Sequence, residues 1–219
     1  MIKDWNELNL RTYYEIYKVT SNAFTPEDEK IFRCAAICAG IDYDELLSQP
    51  IASTEVMVAN SAFLYTKPER KKVSGKHIKV NGNDYTIITD ASDMTTAQYI
   101  DYQSVIVEKY EEHITDLLSI ILIPKGHTYN DGYDRDAVKT DMDSMSVTEA
   151  LGITDFFLRR YRRSLRRSLL YSSAALTTAR IMAPKEIKEQ MREVEKNYQQ
   201  LADELLTMSG KLSLEQLLN

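Results

Sequence analysis

The sequence predicts an α+β fold that is predominantly α-helical, and three observations carry that expectation. Glycine and proline number only seven and five among 219 residues, too few for the turns of an all-β or loop-rich architecture. Apolar residues recur at spacings of three and four through most of the chain, the period of one helix face. Only near 76–88 does the period drop to two, across an Asn-Gly pair suited to a tight turn. The expected architecture is a helical core with one β-hairpin at about 76–88, followed by two long C-terminal helices.

The elements follow in order. Trp5, Leu8, Tyr13, Ile16 and Tyr17 lie at helical spacing within Asp4–Thr20. A second helix starts at Thr25-Pro26-Glu27-Asp28, with Thr25 as cap, Pro26 in the first turn and acids at the positive end of the dipole, and Gly40 ends it. Asp42 opens a short helix through Leu47, and Ile51–Tyr65 forms another, closed by Lys67-Pro68. After a basic loop at Lys67–Lys72, Ile78 and Val80 alternate with polar neighbours, Asn81-Gly82 turns, and Tyr85–Ile88 returns. Thr95 caps a helix that carries Tyr99, Tyr102, Val105 and Ile106 on one face. An apolar segment, Ile114–Ile123, stops at Pro124-Lys125-Gly126, and His127–Asp143 reads as an acidic, solvated connection. Ser146-Val147-Thr148-Glu149 is a capping box opening a helix that can run to Ala183, where Pro184 forces a restart. Lys185–Met208 is the last long helix, and Ser213–Leu218 a closing helical turn.

Apolar residues at 43% and charged residues at 27% are ordinary for a globular chain long enough to bury a core. The net charge of −6 is unevenly spread. Through Phe157 there are 15 Lys/Arg against 26 Asp/Glu, or −11; from Leu158 onward 12 stand against 7, or +5. The chain is accordingly divided into a core domain, 1–151, and a C-terminal helical region, 152–219, made of a basic helix and then a heptad helix.

Catalytic signatures are absent: the sequence has no glycine-rich phosphate loop, nucleophile elbow or paired-histidine zinc helix. His77, His113 and His127 have no metal-ligand spacing, and Cys34 and Cys38, four apart in an apolar run, read as buried reduced thiols. A calcium-loop reading of Asn130-Asp131-Gly132 fails because His127, Tyr129 and Val138 would fall where oxygen ligands belong. No enzyme activity, cofactor or metal is expected. The apolar run at Ile114–Pro124 is too short to span a bilayer, so no membrane anchor is expected.

Two features stand out. Leu158, Tyr161, Leu165, Leu169 and Leu176 form an apolar stripe, and Arg159, Arg160, Arg162, Arg163, Arg166 and Arg167 fan over an adjoining arc of about 160°. No acid lies between Phe156 and Arg180. Like charges so close repel, and the arrangement suits a partner's negative charge, either an acidic protein surface or nucleic-acid phosphate. The overall acidity argues against a chain that binds nucleic acid over its whole surface. The second feature is Ile187, Met191, Val194, Tyr198, Leu201, Leu205 and Met208, spaced 4, 3, 4, 3, 4, 3. This heptad seam fits packing on the chain's own helices or an intermolecular coiled coil equally well.

From Thr25 to Phe157 the order of features forms a recognisable pattern. It runs through Ala39-Gly40-Ile41-Asp42, a turn ending at Pro50, the hairpin Ile78–Tyr85, and Met94-Thr95-Thr96-Ala97-Gln98-Tyr99-Ile100-Asp101. The apolar Leu117–Pro124, Tyr129…Gly132-Tyr133, Val147-Thr148-Glu149-Ala150-Leu151-Gly152 and Phe156-Phe157 come after these. In this it resembles small morphogenesis and virion proteins of tailed bacteriophages, including some from phages of gut bacteria. The resemblance implies a structural or assembly protein of the tail or portal region, acting by protein–protein binding as a homo-oligomer among other phage structural proteins. It implies residence in the virion, the host bacterial cytoplasm or both, and it supplies no catalytic residues. A tail-assembly chaperone absent from the particle is one alternative. A nucleic-acid-binding regulator using the arginine helix is the other.

Overall fold

The computed structural model describes residues 1–73, 75–107 and 113–211, without the side chains of 91, 106, 107, 162, 165, 185, 186 and 201–211. The chain is predominantly helical, with one small antiparallel sheet. The expected turn at Ser213–Leu218 lies outside the described residues.

Four helices come first: α1 (Leu10–Ser21), α2 (Glu27–Ala39), α3 (Tyr43–Leu47) and α4 (Ile51–Ser61), the last running into a 3-10 turn at Ala62–Tyr65. Asn9 caps α1 by accepting from the Thr12 amide, so the helix begins later than Asp4. In α2 the cap position falls to Pro26 rather than Thr25, and no side chain caps it; Glu27, Asp28 and Glu29 supply the favourable charge instead. Gly40, at φ +71°, ends α2 in the left-handed conformation. Cys34 and Cys38 are buried and reduced, and burial raises both thiols to about 11.

The hairpin joins β1 (His77–Val80) to β2 (Asn83–Ile87), with Val80 opposite Asn83. Asn81 and Gly82 both have positive φ, 49° and 87°, the signature of a type I′ turn. A third strand, β3 (Leu122–Pro124), pairs antiparallel with β2, giving the order β1-β2-β3. The period of the sequence does not reveal this strand, because the apolar run Ile114–Ile123 splits at Ile121. Its first part is α6 (Ile114–Ile121), in which every residue except Asp116 is buried. The amides of Gln98 and Ile88 bond the Ile120 and Ile121 carbonyls at 2.5 and 2.8 Å, satisfying the buried end of α6.

Around α6 the core closes. On α5 (Thr96–Val107), Tyr102 is fully buried, Val105 half-buried and Tyr99 partly open; the Ile106 side chain lies outside the described residues. Residues 135–144 correct the expectation of a solvated acidic connection: they form α7 (Arg135–Ser144), and most of its charges point at neighbours. Asp134 caps it. Arg135 donates to the Tyr129 hydroxyl and pairs with Asp101 of α5, and Lys139 pairs with Asp116 of α6 at 2.6 Å. Asp141 accepts from Tyr85, Asn83 and Asn81 of the hairpin, and Asp143 from Thr115. Burial works against the Asp141 charge, but those three hydrogen bonds outweigh it and lower its pKa.

The capping box appears as expected. Ser146 accepts from the Glu149 amide at 3.3 Å and opens α8 (Val147–Met182), a rod of 36 residues. Its first half belongs to the core, which extends beyond the expected boundary at Leu151 through Ile153, Phe157, Leu158 and Tyr161. Tyr102 meets Phe157 and Tyr161 edge-on at 5.3 and 5.2 Å. Burial raises the Tyr161 phenol to about 12.

The basic loop at 67–73 crosses this half of α8. Its Lys71 amide donates to the Thr148 carbonyl at 3.1 Å, Lys71 pairs with Glu149, and Arg70 with Asp155 at 3.4 Å. Gly152 makes the approach possible, since a Cβ there would overlap the Lys71 carbonyl oxygen.

Candidate functional site

Beyond Tyr161, α8 turns back through Ala183-Pro184 into α9 (Lys185–Lys211), and the two helices pack as an antiparallel hairpin. Proline cannot continue α8, which fixes the turn. On α8 the half-buried Leu169, Ser172, Ser173, Leu176, Thr177 and Arg180 fall within an arc of about 140° at 100° per residue. On α9 the covered residues are Met191 and Tyr198, half-buried, and Glu195, buried. Glu195 accepts from the Thr177 hydroxyl at 2.6 Å and pairs with Arg180 at 2.9 Å. The contact between the helices thus mixes apolar side chains with serine and threonine around one buried carboxylate.

The seven seam positions do not share one environment. Met191 and Tyr198 are half-buried, whereas Ile187 and Val194 are exposed, Val194 by 51%. Among the described side chains of α9, Glu195, next to the seam, is the most deeply buried. The side chains of Leu201, Leu205 and Met208 lie outside the described residues.

The six arginines also divide. Arg159 pairs with Asp155 on its own helix at 2.8 Å. Arg160 lies over the Phe156 ring at 5.1 Å and acts electrostatically on Asp90. Asp90 accepts from the Ser92 amide, from the Ser92 hydroxyl and from Ser164 of α8, and its pKa is lowered, chiefly by the Ser92 amide. Arg163, Arg166 and Arg167 are exposed and make no ion pair among the described residues. The Arg162 side chain lies outside the described residues.

Periodicity missed a second surface on the outer half of α8. Arg163, Arg167, Leu170, Ala174 and Ile181 share an arc of about 60° on an uncovered side of α8, with Arg166 at its edge nearer α9 and Tyr171 and Met182 at the other. All eight are exposed. The signal was present as a second apolar arc on the same helix, hidden by the stronger Leu158–Leu176 stripe. The outward face is basic near the core and apolar towards the hairpin turn.

Among the described residues no group of His, Cys, Asp and Glu side chains could hold a metal ion, and no helix is long and apolar enough to cross a membrane. The fold and this surface define a helical α+β protein with a two-helix extension. No protein-family model, curated protein or solved structure matches it.

Proposed function

We propose that this chain works by binding another protein through the outward face of α8, as a structural or assembly protein of a tailed phage. The observation that carries the binding role is the run of exposed Arg163, Arg166 and Arg167 beside exposed Leu170 and Tyr171. Arginine and tyrosine dominate the energetics of protein interfaces, because each joins a large contact area to directed hydrogen bonding. A guanidinium can also grip a carboxylate through two parallel bonds. Phosphate would reward the arginines but leave Leu170, Ile181 and Met182 with nothing to cover them. The phage setting is supported by the resemblance across Thr25–Phe157.

Two experiments test the reading. A filter-binding titration of the wild type at low and moderate salt should show no tight nucleic-acid binding. Tight binding that weakens steeply with salt and vanishes in Arg163→Glu, Arg166→Glu would replace the protein partner with nucleic acid. Mass spectrometry of purified particles of a phage encoding this chain should find it as a stoichiometric component. Its absence from particles, with assembly still dependent on it, would make it a chaperone.

A further inference from the structure

A second surface is as unfinished as the outward face of α8. In α4 the fully covered positions are Thr54 and Ser61, whose hydroxyls bond back to the Pro50 and Val58 carbonyls. Ile51 and Val56 face solvent instead, Ile51 by 71%, and Leu47 at the end of α3 is exposed beside them. Met57 and Val58 pack inward against the Ala35, Ala36 and Leu46 cluster, so the exposed Ile51, Val56 and Leu47 are apolar surface beyond what the chain itself covers. Asp44, Glu45 and Glu55 are exposed on the same two helices.

The two surfaces have opposite charge. On α3 and α4 the exposed charges are Asp44, Glu45 and Glu55, with Arg33 of α2 acting on Asp44, and among the described side chains on the outer half of α8 they are Arg163, Arg166 and Arg167. Each combines its charge with exposed large apolar groups: Leu47, Ile51 and Val56 on one side, Leu170 and Tyr171 (78% exposed) on the other. Both stand open in the same chain, so neither covers the other.

We infer that the α3–α4 face is the docking site for the outward face of α8 of a second copy of this chain, Arg163, Arg166 and Arg167 meeting Asp44, Glu45 and Glu55 around a shared apolar centre. This rests on the reading of α8 as a protein-binding face and names its partner. Because the joined patches are unlike, one such contact uses a different patch on each of the two copies. A pair joined once keeps one free α3–α4 face and one free α8 face, which either close on each other about a two-fold axis or take further copies head to tail into a ring or a filament.

The test uses the full chain and two variants, followed by light scattering, with circular dichroism and melting to confirm folding. One variant carries Arg163→Glu, Arg166→Glu and Arg167→Glu; the other carries Asp44→Arg, Glu45→Arg and Glu55→Arg. The wild type should associate. Each variant alone should associate roughly a hundredfold more weakly, since like charges then face each other. Mixing the two should restore association, because the intact hairpin of the second meets the intact acidic face of the first. A wild type that stays a single chain, an α3–α4 variant that associates like wild type, or a mixture that fails to recover would each overturn the inference. None of these removes the protein-binding role of α8, which falls only on salt-sensitive nucleic-acid binding.

Discussion

The two halves of α8 share one backbone and one cap at Ser146, yet they have opposite surroundings. From Val147 to Tyr161 the helix is held by α6, α1, the Tyr102 ring and the loop at 67–73. From Arg163 to Met182, Ser164 still reaches Asp90, one side from Leu169 to Arg180 is half-buried, and the remaining described side chains are open. Helix propensity cannot explain the contrast, since both halves are helical throughout. Tertiary burial does: the covered half contributes to stability, and the open half is available for contact.

Substitutions should break this contrast in order of size. The largest effect is expected at Phe157, fully buried in the ring cluster. Phe157→Ala should cost about 3–5 kcal/mol in urea unfolding, through lost burial and the cavity left behind. Gly152→Ala comes next, because the new methyl displaces the Lys71 backbone. It should cost about 1–3 kcal/mol and speed tryptic cleavage at Arg70 and Lys71 relative to wild type.

Glu195→Ala acts in the outer half, leaving Thr177 without its acceptor and Arg180 without its ion-pair partner. It should loosen the hairpin by about 1–2 kcal/mol, read as faster amide exchange in α9 with the core amides unchanged. Smallest of all is Leu170→Ser, expected to shift melting stability by no more than about 0.5 kcal/mol while weakening association. A large loss of stability there would mean that the outer face is part of the core.

Acid should sharpen the comparison from the other direction. The folded pKa values of Asp90, Asp116 and Asp141 are lowered. For Asp116, burial is again outweighed, here by Lys139 and His113. A carboxylate lowered by folding adds stability that is present above its unfolded pKa and is lost as pH falls through the folded value. The core should therefore weaken below about pH 4. Asp141→Asn should flatten that limb of a stability-versus-pH curve, and an unchanged limb would show that the α7–hairpin contact is not what titrates.

Much of this fold was legible in the sequence because local chemistry decided it: Asn81-Gly82 for the hairpin, Ser146–Glu149 for the start of α8, Pro184 for its end. The failures share a different cause. His127–Asp143 looked solvated because acids are usually exposed, and nothing local says that Asp141 will find Tyr85 or Lys139 find Asp116. Strand β3 was hidden because an apolar run is buried equally well as helix or strand. The arginine arc was legible as a face, but not the consumption of Arg159 by Asp155 or the approach of Arg160 to Asp90. The seam was legible as spacing, but heptad arithmetic passes over Glu195, the most buried of the described α9 side chains.

The continuity of α8 has a mechanical consequence. The helix contains no proline, and its single glycine, Gly152, is pressed against the Lys71 backbone within the core. Sharp helix kinks arise mostly at such residues, and none lies between Ile153 and Met182. The rod therefore behaves as a lever without a joint. Whatever seats on Arg163–Tyr171 is held at an angle set by the Tyr102, Phe157 and Tyr161 rings at the other end, and a small tilt at those rings becomes a large displacement at the far turn.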